Sequence, residues 1–204
     1  NMKFSSELSV SMKGLLNSMP LLMLFDFAAA FPSVSHAWIS MILHLINMPE
    51  GLLNLVLALY NGNTAYLGTA NGLVFMFMVI SGVLQGCPLS GSLFVIAIDP
   101  LLHMFKIHIE NRNLGVTRAC ADDIGVALRY IKNINTLHKL FENFRRISGL
   151  TLKPAKCVIV LTALECNANN RDRVKEWLSE MCPPWKDINI TDHAKYLGVF
   201  LGPK

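Results

Sequence analysis

The sequence predicts an α+β fold, a largely antiparallel sheet with helices on one face. Two hairpin patterns and one helical pattern carry that expectation. Apolar runs flank two tight-turn signals, Asn71-Gly72 and Ala121-Asp122-Asp123, and Asn-Gly between apolar runs is the strongest short-range hairpin signal. By contrast, Ile134, Leu137, Leu140, Phe141, Phe144 and Ile147 recur at the spacing of one helix face. Hairpins mixed with amphipathic helices belong to that class.

The elements follow in order. Met23–Phe27 reads as a short buried strand, with Pro20 and Pro32 as punctuation. His36–Met48 reads as a helix with Trp38, Ile42, Leu45 and Ile46 on its inward stripe, and Pro49 opens a second helix, Glu50–Tyr60. Ala65–Ala70 and Leu73–Val79 form the first hairpin, followed by a glycine turn over 82–86. Ser90 caps a helix reaching about Ile107. Val116–Cys120 and Ile124–Tyr130 form the second hairpin, and Gly149 stops the helix that starts near Ile134. Lys156–Thr162 is a strand, Arg171–Met181 a surface helix with Val174, Trp177 and Leu178 inward, and Lys195–Leu201 a single closing strand. There is no repeat, low-complexity tract or linker.

Composition narrows the function classes. With 204 residues, 52% hydrophobic and 16% charged, the chain has enough apolar surface for one sizeable core, and disorder is excluded. Residues 1–98 hold two basic side chains, Lys3 and Lys13, so the net charge of +4 comes from the second half. From Gly51 to Ile98 there is no charged side chain. A membrane span needs about 20 apolar residues; the driest run, 73–84, is too short and is preceded by the turn signals Asn61-Gly62 and Asn71-Gly72, so no membrane partner is expected. Five cysteines form no CxxC pair and the six histidines show no zinc spacing, which points to free thiols in an intracellular setting and no structural zinc. Asp26, inside the apolar run 19–31, argues against a signal peptide. The initial Asn suggests a piece cut from a longer protein.

Three carboxylates stand out. Asp122 and Asp123 sit side by side at a tight turn. Two like charges about 4 Å apart repel by about 4 kcal/mol at an effective dielectric near 20, so a half-buried pair wants a cation; the plain alternative is a solvated turn. Asp26 ends an apolar strand with no charged residue between Lys13 and Glu50, and an unpaired buried carboxylate is costly; its plain alternative is a cap or turn. Brought together, the three would make the minimal set for two-metal phosphoryl displacement.

Phe25-Asp26-Phe27-Ala28-Ala29-Ala30-Phe31 with Val34 and His36 resembles motif A of the reverse transcriptases of non-LTR retrotransposons. Gly82-Val83-Leu84-Gln85-Gly86-Cys87-Pro88-Leu89-Ser90 resembles motif B, and Cys120-Ala121-Asp122-Asp123 motif C. Ser148-Gly149-Leu150-Thr151-Leu152 with Lys156 is similar to motif D, and Tyr196-Leu197-Gly198-Val199 to motif E. The five stand in family order across 20–202. Leu84, Pro32 and Cys120 depart from the usual Arg, Asp and aromatic residue, and none of the three is a metal ligand.

The resemblance implies a polymerase palm, similar to a ferredoxin- or RRM-like antiparallel sheet, with about 37–84 on the fingers side. It implies an RNA-directed DNA polymerase taking an RNA template, a DNA primer and dNTP, with two Mg2+ ions or Mn2+ in their place. Asp26, Asp122, Asp123 and the Phe27 carbonyl would hold the metals. Lys156 would act as general acid, Phe31 as the sugar gate, Gln85 and Gly86 as the nucleotide pocket, and Tyr196 and Gly198 as the primer contact. Arg145, Arg146, Arg171, Arg173 and Lys175 are candidate phosphate contacts or, more simply, solvated helix faces. The N-terminal fingers, the thumb and an endonuclease domain would lie in a parent polyprotein that works in the nucleus. A decayed copy that only binds nucleic acid is the alternative.

Overall fold

The computed structural model describes Gly14 and residues 16–203; Lys3, Glu7 and Lys13 lie outside them. In chain order the elements are β1 (Leu21–Phe25), α1 (His36–Leu45), α2 (Glu50–Tyr60), β2 (Thr64–Thr69), β3 (Gly72–Met78), α3 (Ser90–Phe105), β4 (Gly115–Cys120), β5 (Asp123–Leu128), α4 (Ile134–Ser148), β6 (Val158–Leu161), α5 (Ala168–Met181), β7 (Asn189–Thr191), β8 (Ala194–Tyr196) and β9 (Val199–Leu201). They divide into two compact units. The first takes the chain up to Ala28, Leu101–Glu142 and everything from Leu152 onward; the second takes Ala29–Pro100 and Asn143–Thr151.

The first unit is built on a five-stranded sheet, ordered β4-β5-β1-β6-β7, antiparallel except between β6 and β7. Alternation along β1 decides what each face sees. Phe25 and Phe27 point into an aromatic core, where the Phe25 ring lies 4.7 Å from Phe141 and 5.5 Å from Trp185, and Phe105 closes on Phe141 at 5.2 Å. Leu24 and Asp26 therefore belong to the other face. On α5, Val174, Trp177 and Leu178 are buried as the helical pattern predicts.

The second unit packs α1 and α2 with the first part of α3. Trp38 donates its indole N–H to the Ala97 carbonyl at 2.9 Å, and the Phe31 ring stacks on Phe94 at 4.5 Å. Gly149, at φ +81°, closes α4 where the chain passes Ser33: an added Cβ would lie 2.5 Å from the Ser33 carbonyl oxygen. Among the described residues the hairpin of β2 and β3 pairs only with itself.

Several expectations change. The inward stripe of α1 is Trp38, Ile39, Ile42 and Leu43, whereas Leu45 and Ile46 are exposed. The helix stops at Leu45 and Asn47, at φ +52°, turns the chain away, so the last turn loses its partners. On α4 Ile147 is exposed and Ser148, one residue on in the same turn, takes the buried position. Ser90 is the first residue of α3 instead of its cap, and its hydroxyl donates to the Leu84 carbonyl. The turn of the first hairpin is Ala70-Asn71, one residue earlier than the Asn-Gly signal, because the Thr69 hydroxyl donates to the Gly72 carbonyl and accepts from the Asn71 amide. The closing strand is a hairpin, β8 and β9, turned by Leu197 at φ +47° and Gly198 at φ +86°. A leucine in the left-handed region has no sequence signature, so Tyr-Leu-Gly-Val reads as one run.

Among the described residues one helix, α3 continued through a π-helical turn to Glu110, is long and apolar enough to cross a membrane. The bilayer test therefore falls on this helix and not on 73–84. Phe94, Ala97, Ile98, Leu101 and Phe105 on it are buried within the fold, and 39% of its apolar window is buried in all.

Candidate active site: a carboxylate cavity at the ends of the central strands

Register brings the acids together. β1 and β5 are neighbours with Phe25 opposite Ile124, and β5 opens with Asp123 opposite Cys120 of β4. Asp26 leaves β1 at the same edge at which Asp123 enters β5. Both line a cavity of about 180 Å³, with Leu24, Lys156, Lys195 and Tyr196 around it. Asp122 is half-buried in the two-residue turn just before β5. That turn runs through Ala121 at φ +52°, a left-handed conformation that costs an alanine about 1–2 kcal/mol. Backbone strain of this kind concentrates at working sites.

The electrostatics follow from the crowding. Burial first, then the charges of Asp122 and Asp26, push the Asp123 carboxyl above its ordinary range. Lys156, at the end of the 3₁₀ turn Pro154–Lys156, sets its ammonium 3.7 Å from Asp26 Oδ2. Both groups are about half exposed, so the pair contributes no more than about 1 kcal/mol. The Tyr196 ring lies against the backbone at Gly125, where an added Cβ would come within 3.5 Å of it, and the phenol donates to the Asp123 carbonyl at 3.5 Å. Burial, then the Asp123 charge, raises the Tyr196 phenol.

The residues fit a hard divalent cation in donor chemistry: carboxylate oxygens whose mutual repulsion is already visible at Asp123. Among the described residues no three acidic, His or Cys side chains are gathered around one metal position. Asp26 and Asp123 face the cavity while Asp122 stands in the turn. The Phe27 side chain is buried on the opposite face, its ring 6.3 Å from Phe141. Gly198 is in the β8–β9 turn. Phe31, Gln85 and Gly86 belong to the second unit, with Gln85 and Gly86 exposed and Gly86 at φ +88°.

A family profile described as Reverse transcriptase (RNA-dependent DNA polymerase) matches residues 6–201. The chain belongs to the reverse transcriptase family. It is 29% identical over 181 residues to the "Retrovirus-related Pol polyprotein from type-2 retrotransposable element R2DM" of Drosophila melanogaster, covering 85% of this chain and 17% of that protein. The chain thus spans under a fifth of that relative's length. Among solved structures it is similar to the apo telomerase of Candida tropicalis truncated from its C-terminal domain, with TM-score 0.61, 11% identity, 98% of this chain and 37% of that one. The Candida albicans telomerase in complex with a fragment of telomeric RNA gives TM-score 0.60 at 12% identity, over 99% of this chain and 32% of that one. These likenesses bear out the palm fold.

Three supports of this reverse transcriptase domain have no role assigned in the sequence motifs. The buried Cys157 thiol accepts a hydrogen bond from the Asp26 amide at 3.4 Å; only its position after Lys156 hinted at a role. In the second unit His36 Nε2 bonds the Gly82 carbonyl at 2.8 Å, and the Leu84 amide donates to the Tyr60 hydroxyl at 3.2 Å, with the two rings 5.0 Å apart. His36 and Tyr60 thereby tie down the glycine turn of motif B. The Val-x-His pattern marked His36; nothing marked Tyr60.

Proposed function

We propose that this chain is the nucleotidyl-transfer core of an RNA-directed DNA polymerase that copies an RNA template in retrotransposition, in the nucleus. The observation that carries the reading is the register that sets Asp26 and Asp123 at one cavity beside Lys156. The family match and the retrotransposon relative support the reaction class, and the family's description as RNA-dependent supports an RNA template.

Asp26, Asp122, Asp123 and the Phe27 carbonyl would hold two Mg2+ ions, or Mn2+ in their place, and the ions would supply Lewis acidity for the primer 3′-hydroxyl and the leaving pyrophosphate. The chain's own residues do the rest. Tyr196 and the Leu197-Gly198 turn steady the primer strand beside Asp123. Lys156 Nζ delivers a proton to the departing pyrophosphate. The Phe31 ring, held flat against Phe94, screens the sugar 2′-position, and Gln85 and Gly86 receive the base. Residues 37–84 act as the fingers side of the palm, and fingers, thumb and further domains of a longer polyprotein complete the enzyme.

Primer extension on an RNA template, within the longer polyprotein, tests the reading. Asp26→Asn is expected to lower the rate roughly 10²–10³-fold, the scale of losing one group that stabilises developing charge, with primer–template binding kept. Extension by Asp26→Asn at the wild-type rate would sink it. Binding without extension in the wild type would instead identify a decayed copy.

A further inference from the structure

Asp26 is held at three points by one short segment, and that segment contains a buried thiol. The β1–β6 ladder ends with Leu24 opposite Val158. Continued by two residues, the register would set Asp26 opposite Lys156, but there the chain coils into the turn Pro154–Lys156. The turn leaves Asp26 to other partners. Its carbonyl accepts the Lys153 amide at 2.9 Å, next to the bridge between Phe27 and Leu152. Its carboxylate faces the Lys156 ammonium at 3.7 Å. Its amide goes to Cys157 Sγ at 3.4 Å, and the thiol has the carbonyls of Lys153 and Asp26 within reach of its own hydrogen, at 3.5 and 3.7 Å.

Cys157 is 1% exposed, and the bond it accepts from the Asp26 amide is part-buried. A thiol can donate and accept at once. An unmet buried amide costs about 1–3 kcal/mol, so the thiol fixes the point from which the Asp26 side chain leaves the sheet. Its small size matters too: the sulfur reaches a backbone amide just past the end of a ladder, where no carbonyl of β6 is available.

We infer that Cys157 is the positioning residue of Asp26: its thiol replaces the missing ladder partner and fixes the carboxylate at the cavity edge, with Lys153 and Lys156 as the other two holds of the same clamp. The functional part of this inference rests on the polymerase reading of Asp26; the structural part does not.

The test compares Cys157→Val, which fills the volume without a hydrogen bond, with Cys157→Ser, which keeps a donor and acceptor on a shorter side chain, in the full chain. Amide hydrogen exchange is read on the peptide holding Asp26, and Mn2+ binding by loss of the free-ion electron paramagnetic resonance signal. Cys157→Val is expected to exchange roughly fivefold faster at Asp26, the worth of one net hydrogen bond. Its Mn2+ midpoint should rise by a similar factor, while peptides from α5 exchange as in the wild type. Cys157→Ser should recover most of both. Wild-type exchange at Asp26 in Cys157→Val would overturn the inference, and so would a Cys157→Ser variant no better than Cys157→Val. Failure of the polymerase reading shows elsewhere, as equal Mn2+ midpoints in the wild type and Asp26→Asn; the exchange comparison then still decides what the thiol does.

Discussion

The two apolar hairpins of this chain look alike in sequence and end in opposite surroundings. In β4–β5 the inward residues of β5, Ile124, Val126 and Leu128, are at most 2% exposed. In β2–β3 every residue of β3 is exposed, with Phe75 at 55% and Phe77 at 57%. Hydrophobicity does not separate them, since β3 is the more apolar. Neighbours do: β5 lies between β4 and β1, whereas among the described residues β2 and β3 have only each other. A two-stranded ribbon is marginal by itself, and an exposed apolar surface of this kind goes with interaction sites or with aggregation.

The largest expected effect attacks the buried hairpin at its centre. Val126→Asp places an unpaired charge where exposure is 0% and should cost about 4 kcal/mol or more, seen as loss of the cooperative urea transition. A variant that still unfolds near the wild-type midpoint would show that β5 is not the core strand it looks.

The turns sharpen the comparison next. Ala121→Gly relieves about 1–2 kcal/mol of left-handed strain and gives back about 0.5–1 kcal/mol to the freer unfolded chain, a net gain of up to about 1.5 kcal/mol. In the other hairpin Gly72, at φ +116°, should lose about 1 kcal/mol on replacement by Ala. Equal and opposite shifts in thermal midpoint are the expected pair; a destabilised Ala121→Gly would mean that the carboxylate turn carries no strain.

A pH dependence separates the hairpins further, since only one bears charge. The folded Asp123 carboxyl titrates above its ordinary 3.8, so folding disfavours its ionised form. The stability it allows is intact below that ordinary value and declines as pH rises through the raised one. Asp123→Asn should therefore stabilise the metal-free protein at neutral pH, by less than about 1 kcal/mol for so exposed a group, and have no effect near pH 3. Chemical unfolding at the two pH values reads this, and a gain that persists in acid would rule out the crowding. Saturating Mg2+ should erase the neutral-pH gain.

The smallest effect belongs to the exposed hairpin. Phe77→Lys should change stability by no more than about 0.5 kcal/mol, while reducing any tendency of the chain to self-associate. Unfolding on the scale of Val126→Asp would show that β3 is buried in solution and would end the contrast.

Much of this was legible beforehand. The helix Glu50–Tyr60 begins and ends where Pro49 and Asn61 say it should, and the inward positions of α5 follow its 3.6-residue period. Asp26, Asp123, Lys156 and Tyr196 were each nominated from motifs, and they share one cavity. What escaped depends on distant partners or on rare dihedrals: Leu197 turning a hairpin, the parallel strand β7 at the sheet edge, and the Cys157 thiol reaching Asp26 across 131 positions.

Local pattern determined the element types, because side-chain periodicity and turn chemistry act over a few residues and are written in the order of the chain. The family followed from five short motifs for the same reason. Only the tertiary structure decided which apolar hairpin is buried, which two of three aspartates share a cavity, and what holds the first of them. Burial, charge repulsion and hydrogen bonds to a strand's unpaired end are set by neighbours in space, and spacing along the sequence does not contain them.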